Sequence, residues 1–414
     1  MTGRPVLTAA PPRASRIPGA DLLRRTAAAP QATASLYALS ATALVARRLD
    51  VVAFGRFAVV QLVLMFAVGV TRAGILTPMM IRPGAGERPP QREVRTRVLA
   101  LSGTAAVVAS VVGAVAGGGL RDICWALALG LPPVLYWDAV RAHHQGTRRY
   151  PVLTRGEIVC LLTGLAWFAV VPLVTGEFLV VAAGLAVAPA VAALTVLAPW
   201  SSRWRPDPAP PGSRAGRHLL LDHLVYTGLD QVVLVAAGVF LTVVATGALR
   251  LGQTALGPVT VLLLACETTA VPRLRDLPPG RTRRLRAAAP VFSGVALAAL
   301  ACGLGLALLP AVWGTALLGP TWTVAATVVA ALAVRQAVSA LTTIPTLALL
   351  TSGATRTILR CRTITAPLVA GGSLFALSRG DVVTFAWSFA CLHLVASCAL
   401  WTAALRTERS QEAP

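Results

Sequence analysis

The feature that most constrains this chain is a succession of apolar stretches, each roughly 18 to 25 residues long, separated by short segments rich in Arg and Pro. A helix rises about 1.5 Å per residue, so one such stretch crosses the roughly 30 Å hydrocarbon core of a bilayer. Apolar residues make up 56% of the chain and charged residues 13%. A water-facing globule of that composition would expose large apolar patches, and lipid is the solvent that fits. The stretches are rich in Ala, Val, Leu and Gly without period-2 alternation, which predicts helices and argues against a barrel.

Twelve spans are expected, at about 28–46, 57–80, 97–119, 122–140, 156–174, 178–199, 218–241, 251–271, 288–312, 321–347, 363–378 and 382–404. Twelve crossings put both termini on one side. The basic residues test this layout, because they collect in cytoplasmic loops. All 37 are Arg. With the N-terminus inside, 29 fall in cytoplasmic segments, six (Arg47, Arg48, Arg56, Arg121, Arg250 and Arg379) fall in outer loops, and Arg72 and Arg335 fall within spans. The net charge of +21 is thus spread in short clusters between apolar runs. That is a topology signal, and no nucleic-acid partner is expected. Trp125, Trp313, Trp322 and Trp387 fall at expected outer ends and Trp137, Trp200 and Trp401 at inner ends, where amphipathic rings settle.

The expected fold is an all-α polytopic membrane protein with cytoplasmic termini. Its parts are a basic tail at 1–27, a six-helix bundle at 28–199, a linker at 200–217, a second six-helix bundle at 218–404 and a tail at 405–414. Arg4, Arg13, Arg16, Arg24 and Arg25 precede the first apolar run in the manner of a signal peptide. That run continues to Ala46 and a second follows closely, so an uncleaved first helix is expected. The halves show a faint repeat: Gly55 is followed six residues later by Gln61, and Gly247 six residues later by Gln253. Gly146-Thr-Arg-Arg after span 4 is echoed by Gly353-Ala-Thr-Arg after span 10. Duplication of six helices preserves orientation and places a site between two bundles.

The seven Cys residues stand singly, without metal-ligand spacing, and read as packing residues. No HExxH, GxSxG or Walker loop is present, the Gly-rich run at 113–119 lies in or at the end of a span, and the loops are too short for a catalytic domain. The expectation is a non-enzyme without a cofactor, with Na+ or H+ as a possible coupling ion.

Ionisable groups inside a membrane cost several kcal/mol unless they face protein or water. Gln61 and Arg72 share one face of span 2, and His223, Thr227 and Asp230 share a face of span 7. Gln253, Thr260 and Glu267 recur at steps of seven in span 8, and Arg335, Ser339, Thr342 and Thr346 at steps of four, three and four in span 10. Four polar stripes together point to a wet central cavity. Arg72 and Arg335 are candidate anion contacts, since a guanidinium grips a phosphate with paired hydrogen bonds. Gln61, Gln253, Arg47 and Arg48 are further substrate-binding candidates. Asp230, Glu267 and His223 are candidates for a coupling ion. Structural readings stay open beside these: Arg72 paired with Glu267, Arg335 paired with Asp230, Asp138 and Arg141 as a surface ion pair, and His143 and His144 as a solvated cluster.

The stretch from Ala46 to Ala58 (Ala-Arg-Arg-Leu-Asp-Val-Val-Ala-Phe-Gly-Arg-Phe-Ala) resembles the segment joining the first two helices of polysaccharide exporters in the multidrug/oligosaccharidyl-lipid/polysaccharide flippase superfamily. Val140 to Tyr150, Leu229-Asp-Gln, Pro272-Arg-Leu and Leu349 to Arg356 are similar to that family's segments in order and spacing. The acidic residues usual before Phe54-Gly55 are replaced by Val52 and Ala53. The resemblance implies two six-helix bundles around a central cavity lined by helices 1, 2, 7 and 8, and flipping of a polyprenyl-pyrophosphate-linked glycan by alternating access. The expected partners are the bilayer, a lipid-linked glycan and proteins of envelope glycan assembly. Alternatives are a cation-coupled drug or metabolite antiporter of the same superfamily and a non-transporting envelope scaffold.

Overall fold

The computed structural model describes residues 19–76, 91–146, 149–196, 220–275, 277 and 280–412, and among these there is no strand. The expected linker at 200–217, Trp200 and the tail up to residue 18 lie outside the described residues.

Among the described residues twelve long helical segments follow in order: α1 (Gly19–Arg48), α2 (Val51–Leu76), α3 (Gln91–Val115), α4 (Gly118–Gly146), α5 (Tyr150–Val174), α6 (Phe178–Val196), α7 (Leu220–Phe240), α8 (Val243–Ala255, then Gly257–Arg275 after a 56° bend), α9 (Arg281–Ala307), α10 (Trp322–Thr351), α11 (Thr355–Leu377) and α12 (Val382–Glu412). A short helix, Ala311–Leu318, joins α9 to α10. Nine of the long segments are apolar and long enough to cross a membrane, ten with the bent α8. In α11 the arginines Arg356, Arg360 and Arg362 fall inside the helix and confine its apolar part. The α3 face carrying Val107, Val111 and Val115, the last 83% exposed, has no protein cover, as a lipid-facing surface requires. The chain is a multi-pass membrane protein.

Boundaries differ from expectation where polar residues were taken to end a span. Asp50 caps α2, its carboxylate accepting from the amides of Val52 and Ala53, so the helix starts at Val51 and contains Arg56. Thr242 caps α8 by accepting from the Ala245 amide at 3.1 Å, so Arg250 lies within a helix. Neither Arg is a loop residue, and Arg56 is paired with Asp122 at 3.2 Å. The Gly-rich run at 113–119 holds the α3–α4 turn, with Gly118 at positive φ. Trp137 and Trp322 are buried core residues rather than interfacial ones. Trp322 is received by Gly314, where a Cβ would collide with the indole.

In the first bundle α1 packs on α5, α3 on α4, and α6 on both α4 and α5. In the second, α10 packs on α9 and α12, and α11 on α12 and α7. Between them α2 lies on α4 and crosses the first arm of α8, while α1 meets the second arm. The crossing is close because two glycines meet there. A Cβ on Gly247 would lie 3.3 Å from the Gly55 Cα, and one on Gly55 would collide with the Val243 carbonyl. These are the two glycines of the sequence repeat, and they meet at this crossing.

Candidate functional site

Polar residues within the helices fall into three groups. The first lies at the bundle crossing. Gln61 comes six residues after Gly55 on α2 and is 6% exposed. It donates to the Thr42 hydroxyl of α1 at 3.3 Å and accepts from Arg250 Nε of α8 at 3.2 Å. Arg250 thereby ties the second bundle to the first. No carboxylate among the described residues is within ion-pairing distance of its guanidinium.

The second group braces the first bundle. Arg72 opens a π-helical turn, Arg72–Leu76, at the end of α2 and grips Asp138 of α4, its Nε 2.9 and 3.0 Å from the two carboxylate oxygens and its Nη2 in contact with Oδ1. Asp138 is also 3.9 Å from Arg141, which binds Glu157 of α5 through two bonds of 2.6 and 3.0 Å. Both carboxylates are buried. Asp138 and Arg141 are therefore not a surface ion pair, and Arg72 takes Asp138 rather than Glu267. The cause is position: Asp138 lies on the face α4 turns to α2, while Glu267 bonds the Thr343 hydroxyl of α10 at 3.1 Å.

The third group braces the second bundle. Arg335 of α10 pairs with Asp230 of α7 at 2.6 Å and lies 4.7 Å from the Phe389 ring centroid of α12. His393 of α12 approaches the same carboxylate at 3.1 Å. Arg362 of α11 pairs with Asp222 of α7 and stacks over Tyr226 at 4.4 Å. A second π-helical turn, Leu224–Gly228, separates Asp222 from Asp230. His223 beside it stacks on Phe66 of α2 at 6.3 Å and packs against Gly69, so this turn faces the bundle interface.

The sequence candidates thus do not converge on one point. Arg72 and Arg335 belong to different bundles, each held by a carboxylate of its own bundle. Arg72 keeps 43% of its side chain exposed and Arg335 20%. Arg47 and Arg48 are exposed at the end of α1 and Gln253 is half-buried on α8. Six residues of these groups were not among the site candidates read from the sequence: Arg141, Glu157, Asp222, Arg250, Arg362 and His393. A signal existed for Asp222, which shares a helical face with Tyr226 and Asp230 at steps of four. Besides these groups, an apolar groove of about 610 Å³ runs along α5, lined by Leu162, Ala166, Trp167 and Val170.

No protein-family model matches the chain, and no curated protein does. Solved structures do. The lipid II flippase MurJ in an inward closed conformation superposes with a TM-score of 0.70 at 9% identity, over 94% of this chain and 90% of that chain. The MATE multidrug transporter DinF-BH superposes with a TM-score of 0.65 at 13% identity, over 94% of this chain and 96% of that one. An outward-facing multidrug resistance MATE family transporter of the MOP superfamily gives 0.65 at 11% identity, over 95% and 96%. The likeness is one of fold: the chain has the two-bundle architecture of MOP superfamily transporters.

Proposed function

Starting from the fold it shares with these transporters, we propose that the protein flips a lipid-linked saccharide of the polyprenyl-pyrophosphate class across the cytoplasmic membrane by alternating access, in the making of a cell-envelope polysaccharide. The observation that carries this reading is the division of its polar contacts. Buried ion pairs lie within each bundle, while a glycine crossing and the Arg250–Gln61 bond join one bundle to the other. Breaking a buried ion pair costs about 3–5 kcal/mol, whereas a single hydrogen bond from a guanidinium to a neutral amide contributes about 1.5–3 kcal/mol. Two stiff bodies on a separable interface is the construction that rocking about a central site demands.

With both termini cytoplasmic, the Gly55–Gly247 crossing closes the outer side. Arg72 then lies toward the inner side, with part of its guanidinium open to an incoming pyrophosphate. A second reading, a cation-coupled antiporter of drugs or metabolites, is favoured by Glu267, a carboxylate that no Arg among the described residues pairs with and that Thr343 alone is seen to bond.

The test is translocation of a fluorescent polyprenyl-pyrophosphate glycan in proteoliposomes, with and without a Na+ or pH gradient, against Arg72→Ala. Flipping that depends on Arg72 supports the proposal. Failure to flip under any gradient, together with export of a cationic dye, would replace it by the antiporter.

A further inference from the structure

Between residues 277 and 380 the chain holds nine Arg and no Asp or Glu. Seven of the nine are exposed or are paired with an acid from another helix, as Arg335 is with Asp230 and Arg362 with Asp222. The other two are neither. Arg281 and Arg284, in the first turn of α9, are 6% and 9% exposed. Neither has a carboxylate of the described residues within ion-pairing distance, and Nη1 of Arg281 and Nε of Arg284 are buried without a hydrogen-bond partner. Burial of a charge is costly unless an opposite charge and hydrogen bonds accompany it. This end of the helix therefore calls for an anion.

The two guanidiniums are held in place by their surroundings. Arg281 Nε donates to Ser352 Oγ at 3.2 Å, in the turn between α10 and α11, and that hydroxyl donates onward to the Leu349 carbonyl at 3.0 Å. The last carbonyls of α10 are already engaged: Ala348, Leu350 and Leu349 accept from the amides of Ser352, Gly353 and Ala354. Leu285 and Ala288, which follow on the same part of α9, pack with Leu274 of α8 and Leu347 of α10 and fix this face against its neighbours. Arg281 and Arg284 are three residues apart and so share a helical face. Gly280 opens the 27-residue α9 without a side-chain cap, which leaves the positive end of its dipole beside the same two side chains.

We propose that the start of α9 is a binding site for the phosphate group of an anionic membrane lipid. A phosphate offers the buried N–H groups of Arg281 and Arg284 charged acceptors in the geometry that a guanidinium fork matches, and it lies where a helix N-terminus favours an anion. Position makes a lipid the source. Ala287, Pro290, Val291 and Leu297 are exposed on α9, so uncovered apolar surface starts within two turns of Arg284 and runs on along the helix. A headgroup at the helix end and acyl chains along that surface is how a bilayer lipid lies against a spanning helix. The exposed Arg283 and Arg286 draw anionic headgroups toward this end without fixing one. Through Arg281 and Ser352 the bound phosphate ties α9 to the α10–α11 turn and stiffens the second bundle. The site is independent of the transport reading; with both termini cytoplasmic it faces the inner leaflet.

The test uses the full-length protein in detergent with added phosphatidylglycerol, phosphatidylcholine or inorganic phosphate, read by native mass spectrometry and thermal unfolding. Arg281→Gln with Arg284→Gln removes the buried pair, and Arg283→Gln with Arg286→Gln removes the same charge from exposed positions of the same turns. Wild type and the exposed-pair variant are expected to retain phosphatidylglycerol about tenfold more tightly than phosphatidylcholine and to melt at a higher temperature with it. The buried-pair variant is expected to lose both effects. Equal losses in the two variants, or equal retention of the two lipids by wild type, would reveal diffuse attraction and overturn the site. Stabilisation by inorganic phosphate to which phosphatidylglycerol adds nothing overturns the lipid as its source. Should the buried-pair variant not fold, Arg281→Lys with Arg284→Lys keeps the charges and loses the fork. It should hold phosphatidylglycerol more weakly than wild type, and undiminished retention overturns the site.

Discussion

Gly55 and Gly247 hold the same place in the two halves of the chain and meet each other where α2 crosses α8, a Cβ on the second falling 3.3 Å from the Cα of the first. Side chains at this point would force the helices apart, and Gly55 has the Val243 carbonyl directly against it.

Gly55→Val should therefore open the crossing. Overpacking a close contact costs about 1–3 kcal/mol, which here falls on the interface and not on either bundle. Transport is expected to be lost while helix content is retained. The check is a cysteine placed at Leu251 of α8, buried in the apolar cluster that α8 shares with the helices of the first bundle, which should gain reactivity toward a water-soluble maleimide in the variant.

The Arg141–Glu157 pair is expected to be structural. Arg141→Ala leaves the Glu157 carboxylate, 1% exposed, without its partner and should destabilise the protein by about 3–5 kcal/mol. Replacing both residues by Met should restore most of that loss. Thermal unfolding of the two single variants and the double variant in detergent gives the coupling energy.

Arg250→Met should raise stability and lower the transport rate. The guanidinium is bonded to Gln61 across the interface without a carboxylate partner among the described residues, so its burial is incompletely compensated. Met fills similar space without a charge and favours the joined state. A higher melting temperature with slower flipping is the expected pair of results. A lower melting temperature would show that the Arg250–Gln61 bond outweighs the burial.

Asp381 caps α12, accepting from the amides of Val383 and Thr384 and from the Thr384 hydroxyl, and these bonds hold its carboxyl below its ordinary value of 3.8. A carboxyl with a depressed folded-state value adds stability above its unfolded-state value, and that stability is lost as pH falls through the lower folded-state value. Asp381→Ala should speed hydrogen exchange at Val383 and Thr384 at neutral pH. The difference from wild type should vanish once acid protonates the cap.

The fold was legible in the sequence because long apolar runs have few ways to satisfy a bilayer, and the glycine repeat even marked the crossing. The partners of the charged residues were not legible. Arg141 and Arg362 read as loop residues because each lies near a helix end, yet α4 extends to Gly146 and α11 begins at Thr355, which carries both guanidiniums into helical register with carboxylates on neighbouring helices. Spacing along one helix shows which residues share a face and says nothing of the face opposite. Asp138 and Arg72 are 66 positions apart and His393 and Asp230 are 163 apart. Those pairings are decided by helix packing, which is set by the small and apolar residues between them.

The bend in α8 has a mechanical consequence. Pro258 lacks an amide hydrogen, and the backbone turns by 56° around Leu256, so the ladder of hydrogen bonds that stiffens a helix is interrupted inside the membrane. The arm before the bend lies on α2, and the arm after it lies on α1 and α9. A push at one end of a straight rod arrives at the other as the same push. A jointed rod would instead convert sliding at the glycine crossing into swinging at the far end, so in a protein that rocks as proposed, small displacements near Gly247 would become large ones around Glu267 and α8 would act as a crank.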